Sequence, residues 1–152
     1  MENQKASDFT LKDKTGKMHK LSDIKSKYTI VYFYPKDDTS GCTIEAVQFT
    51  GLLNNFKKND IEIIGVSGGN DESKKKFCDK HNIKITLLSD SDFTIAKKYK
   101  VYGEKSFLGK KFLGIKRTTF VLDKNRNIIK TYNNVSPNGH AKEVLEFIKS
   151  LS

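Results

Sequence analysis

Cys42 stands inside the stretch YPKDDTSGCTIEA (residues 34–46), three residues after Thr39 and directly after Gly41. An apolar run precedes the stretch and apolar residues at helical spacing follow it, so the cysteine opens a helix. The first N–H groups of a helix have no intrahelical acceptor, and together with the helix dipole they stabilise a negative charge. The thiolate is the nucleophilic form of cysteine, so this placement suits attack by sulfur. The Thr39 hydroxyl can both donate and accept a hydrogen bond at the site. Gly41 permits close approach of the backbone to a substrate, and Pro35 removes one N–H and stiffens the start of the turn. Most free cysteines are small buried hydrophobes, and residue type alone favours that role for Cys42. The strand–turn–cysteine–helix setting favours the reactive one.

The elements that must hold this turn are readable around it. YTIVYFY (residues 28–34) is β-branched and aromatic throughout, as in a strand buried on both faces, and Pro35 ends it. Beyond Cys42, Ala46, Phe49, Leu53 and Phe56 recur at three- and four-residue steps, which predicts one helix. IEIIGVS (residues 61–67) is a second buried strand. A lysine-rich helix poor in apolar residues runs from Asp71 to about Asn82. ITLLSD brings a short strand with a helix N-cap at Asp90 or Ser91, and a short helix runs to about Lys100. TTFVLD and NIIKTY flank KNR as an antiparallel hairpin. A last helix follows Pro137, with Ala141, Val144, Leu145, Ile148 and Leu151 facing inward. This order predicts an α/β layer fold with a central mixed sheet flanked by helices, in one domain spanning 1–152. A reactive group at the end of the first buried strand sits where such sheets place their sites.

The 152 residues suffice for one domain with a core. No apolar run approaches the roughly 20 residues that span a bilayer, and the polar start MENQKASDFTLKD shows no secretory h-region, so a cytoplasmic protein is expected. Two cysteines make no disulfide scaffold; they are buried thiols or a redox pair. The formal charge of +10 invites a nucleic-acid partner. The lysines are spread along the whole chain among acidic residues, however. Their densest cluster, Lys74-Lys75-Lys76, falls on an exposed helix, and Arg117 and Arg126 are the only arginines. Specific DNA readers favour arginine, so no nucleic-acid role is expected.

The pattern Pro-x-x-x-Thr-x-x-Cys in YPKDDTSGCTIEA resembles the active-site signature of the peroxiredoxins. VYGEKSFLGKKFLGIKRTTFVLD, DFTLKDKTGK, FCDKHNI and LLSD resemble the bacterioferritin comigratory protein, or peroxiredoxin Q, subfamily. The resemblance covers about residues 8–148. It implies a thioredoxin fold and the reduction of hydrogen peroxide or organic hydroperoxides by a cysteine, with no metal, haem or flavin. By position it makes Cys42 the peroxidatic cysteine, with Thr39 hydrogen-bonding peroxide and thiolate and Pro35 shielding the sulfur. Arg117 matches the active-site arginine, and Glu45 the residue that helps orient it. Taken alone, Arg117 reads as a surface residue beside Lys116, Glu45 as a first-turn acid complementing the helix dipole, and Thr39 as a turn or capping residue. Ser40 replaces the proline usual in the family's Thr-Pro-Gly-Cys, and Ser7 stands where Ala-Pro is common.

The resemblance also bears on the sulfenic acid that attack on a peroxide leaves on Cys42. Many subfamily members carry a resolving cysteine five residues later, where this chain has Val47. Others place it in the following helix, where Cys78 stands, so the resemblance implies an intramolecular Cys42–Cys78 disulfide recycled by thioredoxin or a similar dithiol. Cys78 as a buried thiol, or as a metal ligand with His81, stays open. The first of these would make a one-cysteine peroxidase. The helix around Cys78, with few apolar anchors and three adjacent lysines repelling one another, is expected to open at low cost. A thioredoxin-fold redox sensor is disfavoured by the lack of Cys-x-x-Cys, and a basic binding module remains as a different class. Most members of the subfamily are monomers, which implies a monomer here.

Overall fold

The computed structural model describes residues 3–151; Met1, Glu2 and Ser152, the ends of the expected domain, lie outside the described residues. In chain order the elements are β1 (Thr10–Lys12), β2 (Met18–Lys20), a 3-10 turn (Leu21–Asp23), β3 (Tyr28–Phe33), α1 (Ser40–Gly51), α2 (Leu53–Lys58), β4 (Ile61–Ser67) and α3 (Asp71–His81). They continue with β5 (Thr86–Ser89), α4 (Thr94–Lys98), β6 (Tyr102–Phe107), β7 (Lys110–Ile115), β8 (Thr118–Leu122), β9 (Ile128–Tyr132) and α5 (His140–Lys149).

Seven strands form one sheet in the order β2-β1-β5-β4-β3-β8-β9, and β6 pairs with β7 in a separate hairpin. Strands β3, β4 and β5 run parallel, and β8 lies antiparallel against β3, so the sheet is mixed as expected. The near-continuous apolar runs of β3 and β4 follow from burial on both faces. Ile30, Tyr32 and Tyr34 face a cluster with α1, α2, α3 and α5, while Val31 and Phe33 face a second cluster under α4 and the N-terminal segment. The loop after β3 and the loop after β4 leave neighbouring parallel strands at the same end, which puts residues 34–39 beside the start of α3.

Four expectations need correction. The helix after Cys42 is two helices, because the chain breaks at Leu52, just after Gly51, a residue that weakens helix at that point. Leu151 is exposed, because α5 ends at Lys149 and leaves it beyond the last buried turn. The cap before α4 is not an N-cap residue, since Phe93 holds that position in the left-handed region; the Asp90 carboxylate instead reaches the N–H groups of Ile95 and Ala96 at 3.2 and 2.8 Å. Lys74 is not part of an exposed lysine cluster but wholly buried. The β1–β2 and β6–β7 hairpins carry no strand signal of the usual kind and are not expected from the sequence.

Candidate active site

Strand β3 ends at Phe33, and Pro35 starts a loop that returns as α1. Thr39 takes the N-cap position in extended backbone, but its hydroxyl does not cap the helix; it donates to the Lys36 carbonyl at 2.9 Å. That leaves the lone pairs of Oγ1 to accept a hydrogen bond from outside. No side chain caps the first turn, so its N–H groups keep their capacity for an anion. Ser40 takes the first helical position, where proline is favoured for its fixed φ, and the helix forms without it.

Cys42 lies in this first turn, 1% exposed. The Arg117 guanidinium reaches it from the loop between β7 and β8, with Nη1 3.5 Å from Sγ. The same nitrogen donates to Glu45 Oε1 at 2.9 Å. Glu45 sits almost one turn beyond Cys42 on α1 and is wholly buried. The structure therefore brings Cys42, Glu45 and Arg117 into one contact across more than 70 residues of chain. Arg117 is not a surface residue; its side chain is only 16% exposed. Its backbone is pinned by Val135, whose N–H donates to the Arg117 carbonyl at 3.1 Å.

Gly41 meets a constraint that the sequence does not show. A Cβ there would stand 2.9 Å from Arg117 Nη2 and 3.2 Å from Pro137 Cγ. The absent side chain makes room for the guanidinium.

Electrostatics separate the partners. Burial pushes the Glu45 carboxyl up to about 7, with Arg117 pulling against it. Burial also opposes the charge on Arg117, but the Cys42 and Glu45 charges beside it outweigh burial, and it holds its proton more tightly than an ordinary arginine. The asymmetry follows from exposure: the carboxylate sees no water, and the guanidinium edge does. Glu45 Oε2 and the Tyr32 hydroxyl are both buried with no hydrogen-bond partner among the described residues. Burial above all, then the charges of Glu45, Cys42 and Cys78, hold the proton on Tyr32.

An open groove of about 480 Å³ adjoins the site, lined by Pro35, Lys105, Lys116, Arg117, Asn134 and Val135. Lys105, on β6, was not singled out from the sequence. It is close enough to feel the charges of Arg117 and Cys42, while burial pushes its ammonium down. A single lysine in a mostly exposed strand offers no signal.

Cys78 occupies a different setting, inside α3 and 3% exposed, among the apolar residues that also bury Cys42. Both cysteines are free thiols. Burial pushes the Cys78 thiol up. The three adjacent lysines each have an acidic partner, which offsets the expected repulsion. Lys74 pairs with Asp37 at 2.9 Å, Lys75 with Asp79 at 2.8 Å and Lys76 with Glu72 at 3.3 Å. His81 bonds Asp38, and no cluster of three metal-ligating side chains occurs among the described residues. No helix among them is long and apolar enough to cross a membrane.

A mixed sheet that presents a cysteine and an arginine at one helix mouth suits a sulfur nucleophile with a fixed positive charge beside it. The chain belongs to the AhpC/TSA family, the peroxiredoxins, which it matches over residues 3–131. It is 42% identical to peroxiredoxin Bcp of Bacillus subtilis over 149 residues, 98% of this chain and 95% of the relative. Its structure is similar to that of the Xanthomonas campestris bacterioferritin comigratory protein, studied for alkyl peroxide reduction: TM-score 0.90, 34% identity, 97% and 92% of the two chains covered. Two further structures of that organism's peroxiredoxin Q match with TM-scores of 0.88 and 0.87, each 34% identical, covering 95% and 94% of this chain and 92% and 90% of theirs. Each carries one cysteine-to-serine replacement, and the two replaced positions lie 36 apart.

Proposed function

We propose that Cys42 is the peroxidatic cysteine of a peroxidase acting on hydrogen peroxide and organic hydroperoxides. The observation that carries this reading is the 3.5 Å approach of Arg117 Nη1 to Cys42 Sγ at an uncapped helix mouth. The thiolate attacks one peroxide oxygen, the O–O bond breaks, and the other oxygen leaves as alkoxide or hydroxide and takes up a proton. The sulfur is oxidised to sulfenic acid and the peroxide is reduced to alcohol or water. The leaving oxygen carries developing charge, so donors fixed in advance around it lower the barrier. Arg117 supplies a permanently charged planar fork, and the first-turn N–H groups supply fixed dipoles. The free lone pairs of Thr39 receive the peroxide O–H and orient it. Glu45 holds Arg117 in place, and Pro35 lines the groove beside the guanidinium.

Cys78 is the resolving cysteine in this reading. It lies 36 residues after Cys42, the separation of the two replaced cysteines in the Xanthomonas peroxiredoxin Q structures. Its thiol is buried and held protonated, a poor nucleophile, so α3 opens before Cys78 reaches the sulfenic acid. A thioredoxin-like dithiol then reduces the disulfide and the protein works as a monomer in the cytoplasm. Replacing Cys42 by serine removes turnover with hydrogen peroxide in a thioredoxin-coupled assay. Retention of activity in that variant would refute the assignment.

A further inference from the structure

The segment that must open is fastened to the active-site loop by a buried polar cluster that the peroxidase chemistry does not use. Asp37 follows Pro35 by two residues, and its carboxylate is 7% exposed. Oδ1 accepts from the Tyr34 hydroxyl at 2.6 Å and lies 3.4 Å from Ser67 Oγ. Oδ2 accepts from the Ser73 hydroxyl and from Lys74 Nζ, the latter at 2.9 Å. Lys74 is 0% exposed and also donates to the Gly68 carbonyl at 2.6 Å. One carboxylate thus joins the loop after β3, the end of β4 and the first turns of α3.

Lys74 and Cys78 are four residues apart on α3 and share one helix face. Turning that face outward to bring Cys78 from the interior takes Lys74 from its partners. Asp38, the next loop residue, bonds Lys80 at 3.0 Å and His81 at 2.8 Å near the other end of α3. Two consecutive aspartates of the active-site loop therefore hold both ends of the helix that carries Cys78. The inner contact dominates, because Asp38 and Lys80 are open to water and such pairs are weak, whereas a buried pair deprived of one partner leaves an uncompensated charge.

We infer that the Asp37–Lys74 pair is a latch on α3 that sets how fast the Cys42 sulfenic acid is resolved. The inference rests on Cys78 being the resolving cysteine. Resolution joins Cys42 sulfenic acid and the Cys78 thiol into a disulfide with release of one water. The competing step uses a second peroxide, which oxidises the sulfenic acid to sulfinic acid and is itself reduced to alcohol or water. A closed latch prolongs the life of the sulfenic acid and favours the second step; a broken latch favours the first. Asp37 and Lys74 are positioning residues here: they act on the position of Cys78 and touch neither sulfur.

The test is acid-quenched mass spectrometry of full-length protein mixed with hydrogen peroxide, following sulfenic acid and disulfide separately. In Asp37→Asn the disulfide is expected to form at least about tenfold faster than in wild type. The sulfinic fraction at high peroxide falls in parallel, and the rate of sulfenic acid formation changes by much less. Lys74→Met keeps the volume of the buried chain and gives the same direction. The double variant gives less than the product of the two single effects, as expected for one contact. Ile95→Ala, on α4 in the opposite core layer, lowers global stability without touching α3 and leaves the resolution rate unchanged. Disulfide formation that is unchanged or slower in both Asp37→Asn and Lys74→Met overturns the latch. So does an equal acceleration in Ile95→Ala, which would assign the effect to general loosening. If wild type forms no disulfide, the resolving assignment itself fails and the latch falls with it, an outcome distinct from a wild-type disulfide whose rate ignores Asp37.

Discussion

Cys42 and Cys78 are buried to nearly the same degree, 1% and 3% exposed, in one apolar cluster. Their surroundings differ in what they offer a negative charge. Cys42 has the open end of a helix and the Arg117 guanidinium 3.5 Å from its sulfur. Cys78 lies within a helix whose N–H groups are spent on the helix itself, and burial pushes its thiol up. Burial alone therefore does not decide the reactivity of a cysteine. The fixed donors and cations around it do, and in the proposed function they hold Cys42 ready while Cys78 waits for its helix to open.

The comparison breaks first at the arginine. Arg117→Met takes the permanent charge from Cys42 and leaves it the helix end alone. The second-order rate of Cys42 oxidation by hydrogen peroxide is expected to fall by about 10²–10³, the usual cost of removing a preorganised donor. Rapid-mixing competition with a second peroxidase measures it, and a fall below about tenfold would mean that the helix end alone activates the sulfur.

A subtler break moves the cation without deleting it. In Gly41→Ala the new methyl group meets Arg117 Nη2 at 2.9 Å and Pro137 Cγ at 3.2 Å, so the guanidinium must shift. The same rate is expected to fall about tenfold. A crystal structure of the variant should show Arg117 turned from Sγ with the backbone of α1 in place.

Glu45 sharpens the comparison through pH. In the folded chain its carboxyl keeps a proton up to about pH 7, against an ordinary value of 4.5. The native state then binds more protons than the unfolded chain between those values, so this group's contribution to stability falls as pH rises through the window. Urea unfolding of wild type should lose about 2–3 kcal/mol more than Glu45→Gln between pH 4.5 and 7.5. His140 works in the opposite sense, since its buried ring is held below the usual histidine range, and the difference between the two proteins removes its effect. Equal pH slopes in both proteins would show that Glu45 is ionised throughout and fully neutralised by Arg117.

Much of this architecture was legible in the chain because its signals are local. The apolar runs of β3 and β4, Pro35 after β3 and the apolar spacing after Cys42 are short-range patterns, and they located the reactive turn. The approach of Arg117 to Cys42 and Glu45 spans more than 70 residues, so no spacing rule could reveal it; the family resemblance pointed to it. The Asp37–Lys74 pair was hidden for the same reason, and Lys74 was lost in a run of three lysines that looked uniformly solvated. The β6–β7 hairpin turns at Leu108 and Gly109, both with positive φ. Leucine is a rare choice for that conformation, so the usual turn signature is missing. Its strands are mostly exposed, with Phe107, Leu108, Phe112 and Leu113 open to solvent, so no inward alternation marked them.

In the proposed function two nearly equally buried cysteines play unequal parts, Cys42 attacking and Cys78 resolving. Whole-protein mass spectrometry after one equivalent of hydrogen peroxide, on wild type and Cys78→Ser, tests it most directly. Wild type should lose two hydrogens, and the variant should gain one oxygen at Cys42. One oxygen gained in both proteins would contradict the role of Cys78, and no rapid change in either would contradict the role of Cys42.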